Sequence, residues 1–305
     1  MCEFLRSTPA AREICCGHRL DTISHGEINM TPVTATAAAT QPGPPAPQDF
    51  WSAGDYDRLA SYASATEAAH LVHFARVNPG DRVLDVGTGS GIAAIVAAQR
   101  GAHSQGIDPT PELLAKAKEN ATLAGHPEIG WNDGAAERLP FPDASFDVVL
   151  SQYAHMFTAE PEAATREMLR VLKPGGRIAF AAWTPEGLAP RLMGLSFRYL
   201  PPMADAAPPS PFEWGDPSGV RRYLGDDVRD LGFEHAALLL PALSPAHGRI
   251  LFEETFGPTV LLVRALTGEP TRLAEWRGEH DRIAAEFFAD GQLRFEYLLT
   301  RATKA

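Results

Sequence analysis

Val83-Leu84-Asp85-Val86-Gly87-Thr88-Gly89-Ser90-Gly91 is the stretch on which the reading of this chain turns. Apolar residues around one acid form a short strand, and a turn with glycine at every second position follows. Glycine there lets the backbone pass close to a ligand with no side chain in between. The alanine-rich segment Ile92–Gln99 reads as the helix that the turn opens. Strand, glycine turn and helix make the first half of a βαβ unit. Asp108 follows the next apolar run, Ser104–Ile107, and at that position a carboxylate can accept both hydroxyls of a ribose.

The same alternation continues outward. Glu112–Leu123 reads as a helix, with Thr110-Pro111 as its cap and first-turn proline. Ile129–Asn132 and Phe146–Ser151 read as strands, Glu162–Leu172 as a helix stopped by Pro174-Gly175-Gly176, and Arg177–Trp183 as a fifth strand. Strands alternating with helices predict an α/β fold, a parallel sheet with helices on both faces. After Trp183 the pattern breaks. A proline-rich stretch carries Phe212 and Trp214; Val220–Leu231 reads as a helix, His235–Leu240 and Leu293–Thr300 as strands, and residues 247–289 as two helices. Upstream, residues 57–76 read as one helix ended by Pro79-Gly80. Residues 1–48, rich in Ala, Thr and Pro towards their end, read as a disordered tail. Met30 is a plausible alternative start. Residues 49–305 form one domain, with 49–76 as an N-terminal lid and 185–232 and 244–290 as cap segments.

Composition narrows the function classes. The 305 residues are 45% hydrophobic, enough for a large core, and no apolar run approaches the roughly 20 residues of a membrane-spanning helix. The net charge of -11 argues against a nucleic-acid partner, which calls for a basic face. Cys2, Cys15 and Cys16 are all the cysteines, so a disulfide framework, a Cys-based metal site and a Cys nucleophile are not expected. With no secretory core at the N-terminus, the expected location is the cytoplasm.

Taken alone, Gly89-x-Gly91-x-x-Ala94 fits a nicotinamide fingerprint as well as a site for S-adenosylmethionine (SAM). Asp85 tilts the choice. A nicotinamide site has no need of an acid inside that strand, whereas a carboxylate beside the turn suits the ammonium of SAM. Asp85-x-Gly87-x-Gly89-x-Gly91 resembles the first motif of class I SAM-dependent methyltransferases. Glu137-Arg138-Leu139-Pro140-Phe141-Pro142-Asp143, Leu169-Arg170-Val171-Leu172-Lys173-Pro174-Gly175-Gly176 and Phe295-Glu296-Tyr297-Leu298-Leu299 resemble the ubiquinone/menaquinone-biosynthesis branch of that superfamily. The resemblance implies a Rossmann-like, doubly wound, mostly parallel seven-stranded sheet with an antiparallel last strand and a helical cap. It implies SAM as cofactor and S-adenosylhomocysteine as product, with no metal. It places Asp85, Gly87, Thr88 and Gly89 at the methionine end, Asp108 at the ribose, Pro109, Ala136 and Glu137 at the adenine, and Ser151 near the sulfonium. Related sequences carry Asp or Asn where this chain has Ala135. Asp133, two residues earlier and on the same side of a strand, or a backbone carbonyl is expected to replace that contact.

Methyl transfer mainly needs a positioned nucleophile and a dry site, with a base only where the acceptor is protonated. His155 and Tyr153, in the loop after the fourth strand, are the candidate catalytic residues; packing or capping is the alternative role for His155. Trp51 and Tyr56 are candidates to close over SAM or simply to pack the lid. Trp183, Phe212 and Trp214 are candidates for an apolar acceptor pocket. The acidic residues Glu279, Asp281, Glu286 and Asp290 read as a solvated helix face. The stripe Phe252, Phe256, Val260 and Val263 reads as core or a homodimer seam. The expected activity is methyl transfer to an O, N or C atom of a small apolar or aromatic metabolite. An NAD(P)-dependent oxidoreductase and a SAM-binding subunit without chemistry are the alternatives. The first lacks a Tyr-x-x-x-Lys pair, and the second differs only in lacking activity on an acceptor.

Overall fold

Short apolar strands buried on both faces force a parallel arrangement with helices on either side. The computed structural model describes residues 47–63, 65–200 and 210–305, so the expected tail lies almost wholly outside the described residues. At the N-terminal end come α1 (Pro47–Ala53), α2 (Tyr56–Ala63) and α3 (Ala65–Phe74). Strands β1 (Arg82–Val86), β2 (His103–Asp108), β3 (Gly130–Asp133), β4 (Phe146–Gln152) and β5 (Leu172–Trp183) pair in parallel. Between them run α4 (Ile92–Gln99), α5 (Pro111–Leu123) and α6 (Pro161–Val171). The cap contributes α7 (Leu188–Tyr199), α8 (Pro217–Leu224), α9 (Pro245–Thr255), α10 (Gly257–Ala265) and α11 (Pro270–Ala285). Strand β6 (Val228–Pro241) and β8 (Gln292–Lys304) complete the sheet, with the two-residue β7 (Phe288–Ala289) folded back on β8.

The strand order is β3-β2-β1-β4-β5-β8-β6, with β8 antiparallel to both of its neighbours. The expected seven-stranded, doubly wound sheet is therefore present, with β7 as an eighth, minor strand. Side-chain alternation divides the core in two. Val83, Val148, Leu150, Ala179 and Ala181 face one side with residues of α3, α7, α10 and α11. Leu84, Val86, Val149, Phe180 and Ala182 face the other with α6, α8 and Trp214. Among the described residues no helix is long and apolar enough to cross a membrane.

Four expectations are corrected. The single helix over 57–76 is two: α3 buries Leu71 and Val72 under the sheet, while α2 turns Tyr56 towards the cap. The helix over 220–231 stops at Leu224, because Gly225 takes a positive φ of 53°. The chain from Val228 onward then pairs along the whole length of β8, starting opposite Lys304. Residues 247–289 form three helices, because Pro258 and Pro270 each start a new one in its first turn, where a missing N–H costs nothing. Finally, the acids expected on a solvated face are tethers. Glu286 pairs with Arg191 at 2.6 Å, Glu279 with Arg198 at 2.8 Å, and Asp281 with Arg249 at 2.8 Å, tying α11 to α7 and α9. Glu286 and Asp290 stay exposed, and Asp290 lies at the turn into β8.

The lid docks on the cap through a close backbone approach. A β-carbon on Gly257 would lie 1.6 Å from the Phe50 carbonyl oxygen. The Tyr56 hydroxyl accepts from the Gly257 N–H at 3.2 Å and donates to the Phe50 carbonyl at 3.3 Å. Arg58 adds an ion pair to Glu254 at 2.9 Å. Gly257→Ala is accordingly expected to lose about 1–3 kcal/mol of stability through overpacking. It should also expose residues around 47–56 to protease; denaturant unfolding and limited proteolysis check both.

Candidate active site

The order of the sheet fixes where a ligand can enter. From β1 the chain moves outward through β2 and β3, then returns to place β4 and β5 on the other side. The switch point lies between β1 and β4, and the crevice opens at the carboxyl ends of those strands. One wall is the glycine turn, where Gly87 has φ 67° and Gly89 φ 54°. A β-carbon on Gly87 would fall 2.3 Å from that of Ala154, so any other residue would push the β4 loop off the turn. Ser151 holds the same junction. Its hydroxyl donates to the Val86 carbonyl at 2.7 Å and accepts from the His155 N–H at 3.1 Å.

Two buried carboxylates stand on this frame. Both oxygens of Asp108 accept backbone N–H groups, from Gly89 and from Thr110, each at 2.9 Å. Burial nevertheless raises its pKa, and the nearby Asp133 adds repulsion. Asp85 accepts from the Thr88 hydroxyl at 2.6 Å, but its Oδ1 is buried without a hydrogen-bond partner. Burial pushes its pKa up to about 7, with the Thr88 and Ala94 hydrogen bonds opposing. An unpartnered buried carboxylate oxygen beside a turn with room for a ligand is what a bound ammonium would satisfy.

Both acids open into one cavity of about 540 Å³, within the usual range of ligand pockets. Of the expected site residues, Trp51, Tyr56, Asp85, Gly87, Thr88, Gly89, Asp108, Pro109, Ala135, Ala136, Glu137, Tyr153, His155 and Trp183 line it. Asp133 does not. It ends β3 in register with Asp108, exposed, while the chain enters the wall only from Gly134 onward. Ser151 is also outside the wall, its hydroxyl consumed by the clamp just described. Phe212 and Trp214 lie on the other face of the sheet, where Trp214 stacks on Tyr223 at 4.4 Å and meets Phe180 edge-on. Trp51 packs on Phe157 at 5.2 Å and on Tyr56 at 5.7 Å, and all three rings stand in the cavity wall.

The two catalytic candidates touch the cavity but turn their polar atoms away. The His155 ring lies 4.3 Å from Phe180 and 4.7 Å from Trp214, with both nitrogens buried and unpartnered. Burial alone pushes its pKa down to about 3. Tyr153 stacks on Trp183 at 3.9 Å, and its hydroxyl is buried towards Tyr297 and Glu67, which raises its pKa well above the usual value.

The cap supplies a second half of the cavity that the sequence did not reveal. Leu238, Leu240, Phe252, Phe256, His280 and Phe295 line it. The stripe of Phe252, Phe256, Val260 and Val263 was expected as core or dimer seam; Phe252, Val260 and Val263 do pack in the core, and Phe252 and Phe256 also line the cavity, a division that helical spacing cannot reveal. His280 gave no signal, because its neighbours in sequence are acidic and it meets the cavity only through the packing of α11.

Comparison with known proteins agrees with this geometry. Residues 84–180 match the family described as a methyltransferase domain. The chain is 34% identical over 276 residues to uncharacterized protein Rv1403c of Mycobacterium tuberculosis, across 90% of this chain and 100% of that one. It is 34% identical over 134 residues to an arsenite methyltransferase of Halobacterium salinarum, covering 42% of this chain and 34% of the relative. The crystal structure of the YcgJ protein from Bacillus subtilis has the same fold, with a TM-score of 0.53, 21% identity, and coverage of 78% of this chain and 98% of that one. The chain belongs to the class I SAM-dependent methyltransferases. The nicotinamide alternative falls with this assignment.

His155 carries a stability consequence. Its folded pKa of about 3 lies below the ordinary 6.5, so only the unfolded chain takes up the proton between those values. Stability is full above pH 6.5 and is lost as pH falls, by up to about 1.4 kcal/mol per unit. His155→Leu should therefore show a smaller drop in Tm between pH 8 and pH 5 than the wild type.

Proposed function

We infer that the chain methylates a small, apolar or aromatic metabolite. The observation that carries this reading is the make-up of the cavity. Its cap half is walled by Trp183, Leu238, Leu240, Phe252, Phe256 and Phe295, and no Lys or Arg is among the described lining residues. A phosphorylated or carboxylated acceptor would leave its charge unpaired there. Nor is any cysteine among the described lining residues, so the arsenite named for the halobacterial relative finds no thiolate in this wall.

SAM, when bound, supplies an activated methyl group on a sulfonium. The residues of this chain hold and shield it. The ionised Asp85 receives the ammonium, and Asp108, pre-set by two backbone donors, accepts the ribose hydroxyls. Pro109, Ala136 and Glu137 flank the adenine. Because Ala135 has no polar side chain and Asp133 is turned out, backbone groups of residues 134–136 serve the adenine edge. Trp51 and Tyr56 exclude water from the mouth, which favours an in-line displacement by restricting the acceptor.

Titration calorimetry with SAM, S-adenosylhomocysteine and NADH tests the site. The first two bind the wild type and are lost in Asp108→Ala; NADH does not bind. Binding of NADH with no response to SAM would overturn the reading. The pH dependence follows from Asp85. Its carboxyl is neutral below about pH 7 and attracts an ammonium only when ionised, so S-adenosylhomocysteine affinity rises through pH 7. Asp85→Asn should flatten that rise and weaken binding by about 10–100-fold, the worth of one charged hydrogen bond.

A further inference from the structure

We propose that His280 is the general base of this enzyme and that the acceptor it serves is a hydroxylated aromatic compound, a phenol or an enol, whose oxygen receives the methyl group. The proposal rests on the methyltransferase reading above and adds the reacting atom and the residue that takes its proton.

The cap half of the cavity is walled mainly by carbon, and its polar side chains among the described residues include the hydroxyls of Ser196 and Thr259 and the imidazole of His280. Of these, His280 is the one whose side chain carries a basic nitrogen. Its residue is only 2% exposed, so the ring is withdrawn from bulk water where it meets the cavity wall. Aromatic neighbours hold the ring: Trp276 lies 5.3 Å away and Phe252 6.5 Å. Nδ1 is the buried nitrogen, with no hydrogen-bond partner and the Asp281 carboxylate 3.6 Å away. That negative charge favours the proton on Nδ1, which leaves Nε2 as the lone-pair nitrogen. The other acids of the cavity stand at the opposite end, where Asp85, Asp108 and Glu137 face the SAM side. His155 and Tyr153 bury their polar atoms elsewhere.

The charge balance suits a phenol. A lone pair of the acceptor oxygen forms the new O–C bond, the methyl–sulfur bond breaks with its electrons going to sulfur, and the O–H proton passes to His280 Nε2. One positive charge, the sulfonium, is lost from the cavity as another, the imidazolium, appears. Burial holds the His280 pKa down to about 4; the Asp281 carboxylate opposes this, Arg249 adds to it, and Glu253 opposes it again from α9. The imidazole is thus in its basic form throughout the neutral range, and it need hold the proton only while the cavity no longer contains a sulfonium. Release of the product lets the proton escape to water.

The test uses the full chain with SAM and two probes, 2-naphthol and 2-naphthalenethiol. The thiol ionises by itself near neutral pH and needs no base. His280→Gln is expected to lower the naphthol-to-thiol ratio of kcat/KM about 100-fold, the lower end of what a general base contributes. In parallel, the His280 ring is followed by NMR in the protein loaded with S-adenosylhomocysteine, its signal identified by its absence in His280→Gln. Addition of 2-naphthol should shift the Nε2 resonance and leave S-adenosylhomocysteine affinity unchanged. An unchanged ratio, or an unmoved Nε2 resonance while naphthol quenches tryptophan fluorescence, would overturn the role of His280. Failure of the wild type to bind or methylate naphthol, with S-adenosylhomocysteine still bound, would overturn the acceptor class alone. Loss of S-adenosylhomocysteine binding by the wild type would instead strike the methyltransferase site itself.

Discussion

A carboxylate with one unsatisfied oxygen, buried at the end of the central strand, is the constraint on which the rest of this site depends. Asp85 can be tolerated there only because Thr88 and the start of α4 satisfy part of it and a ligand can satisfy the remainder. Its place on β1, beside the switch point of the sheet, aims that unmet charge into the cavity. The tight turn that follows carries the cost: Gly87 must be glycine because Ala154 of the β4 loop presses on it, and Ser151 fastens the two loops together. Those contacts keep the Asp85 carboxylate and the Asp108 carboxylate at fixed positions before any ligand arrives, which is the preorganisation that binding requires.

The cap answers a different need. It is built from helices started by prolines and held by ion pairs among α7, α9 and α11, with Arg249 bridging Asp281 and Glu253. The pairs between α7 and α11 are exposed and contribute little stability each. Their effect is on geometry, since they set the roll of α11 and so decide that His280 and not a neighbour meets the cavity. The lid adds closure from the N-terminal side, where Gly257 lets α1 lie directly on the start of α10. The cavity between cap and sheet is thus walled mainly by carbon, with a few buried polar atoms.

How much of this was legible in the sequence divides along the same line. The strand–turn–helix at Asp85–Gly91, the acid at Asp108, and the alternation through Trp183 are local patterns whose meaning travels with their spacing, and the structure places them as expected. Glu137 and the alanines before it were also legible, because they follow a strand directly. Asp133 and Ser151 show the limit. Each stands near the site in sequence, but Asp133 ends the edge strand β3 exposed and outside the cavity wall, and the Val86 carbonyl engages the Ser151 hydroxyl. Phe212 and Trp214 looked like pocket aromatics, yet side-chain alternation in β5 assigns Phe180, and with it Trp214, to the opposite face from Trp183.

By itself, then, the sequence determined the parallel core, the glycine turn and the acids of the cofactor end, because hydrophobic period and turn chemistry act over a few residues. Only the tertiary structure decided the cap half of the cavity. Phe252, Phe256, His280 and Phe295 come from α9, the start of α10, α11 and β8, far apart in the chain, and they converge because those elements pack on one face of the sheet. Convergence of that kind is a property of packing, and no local spacing encodes it.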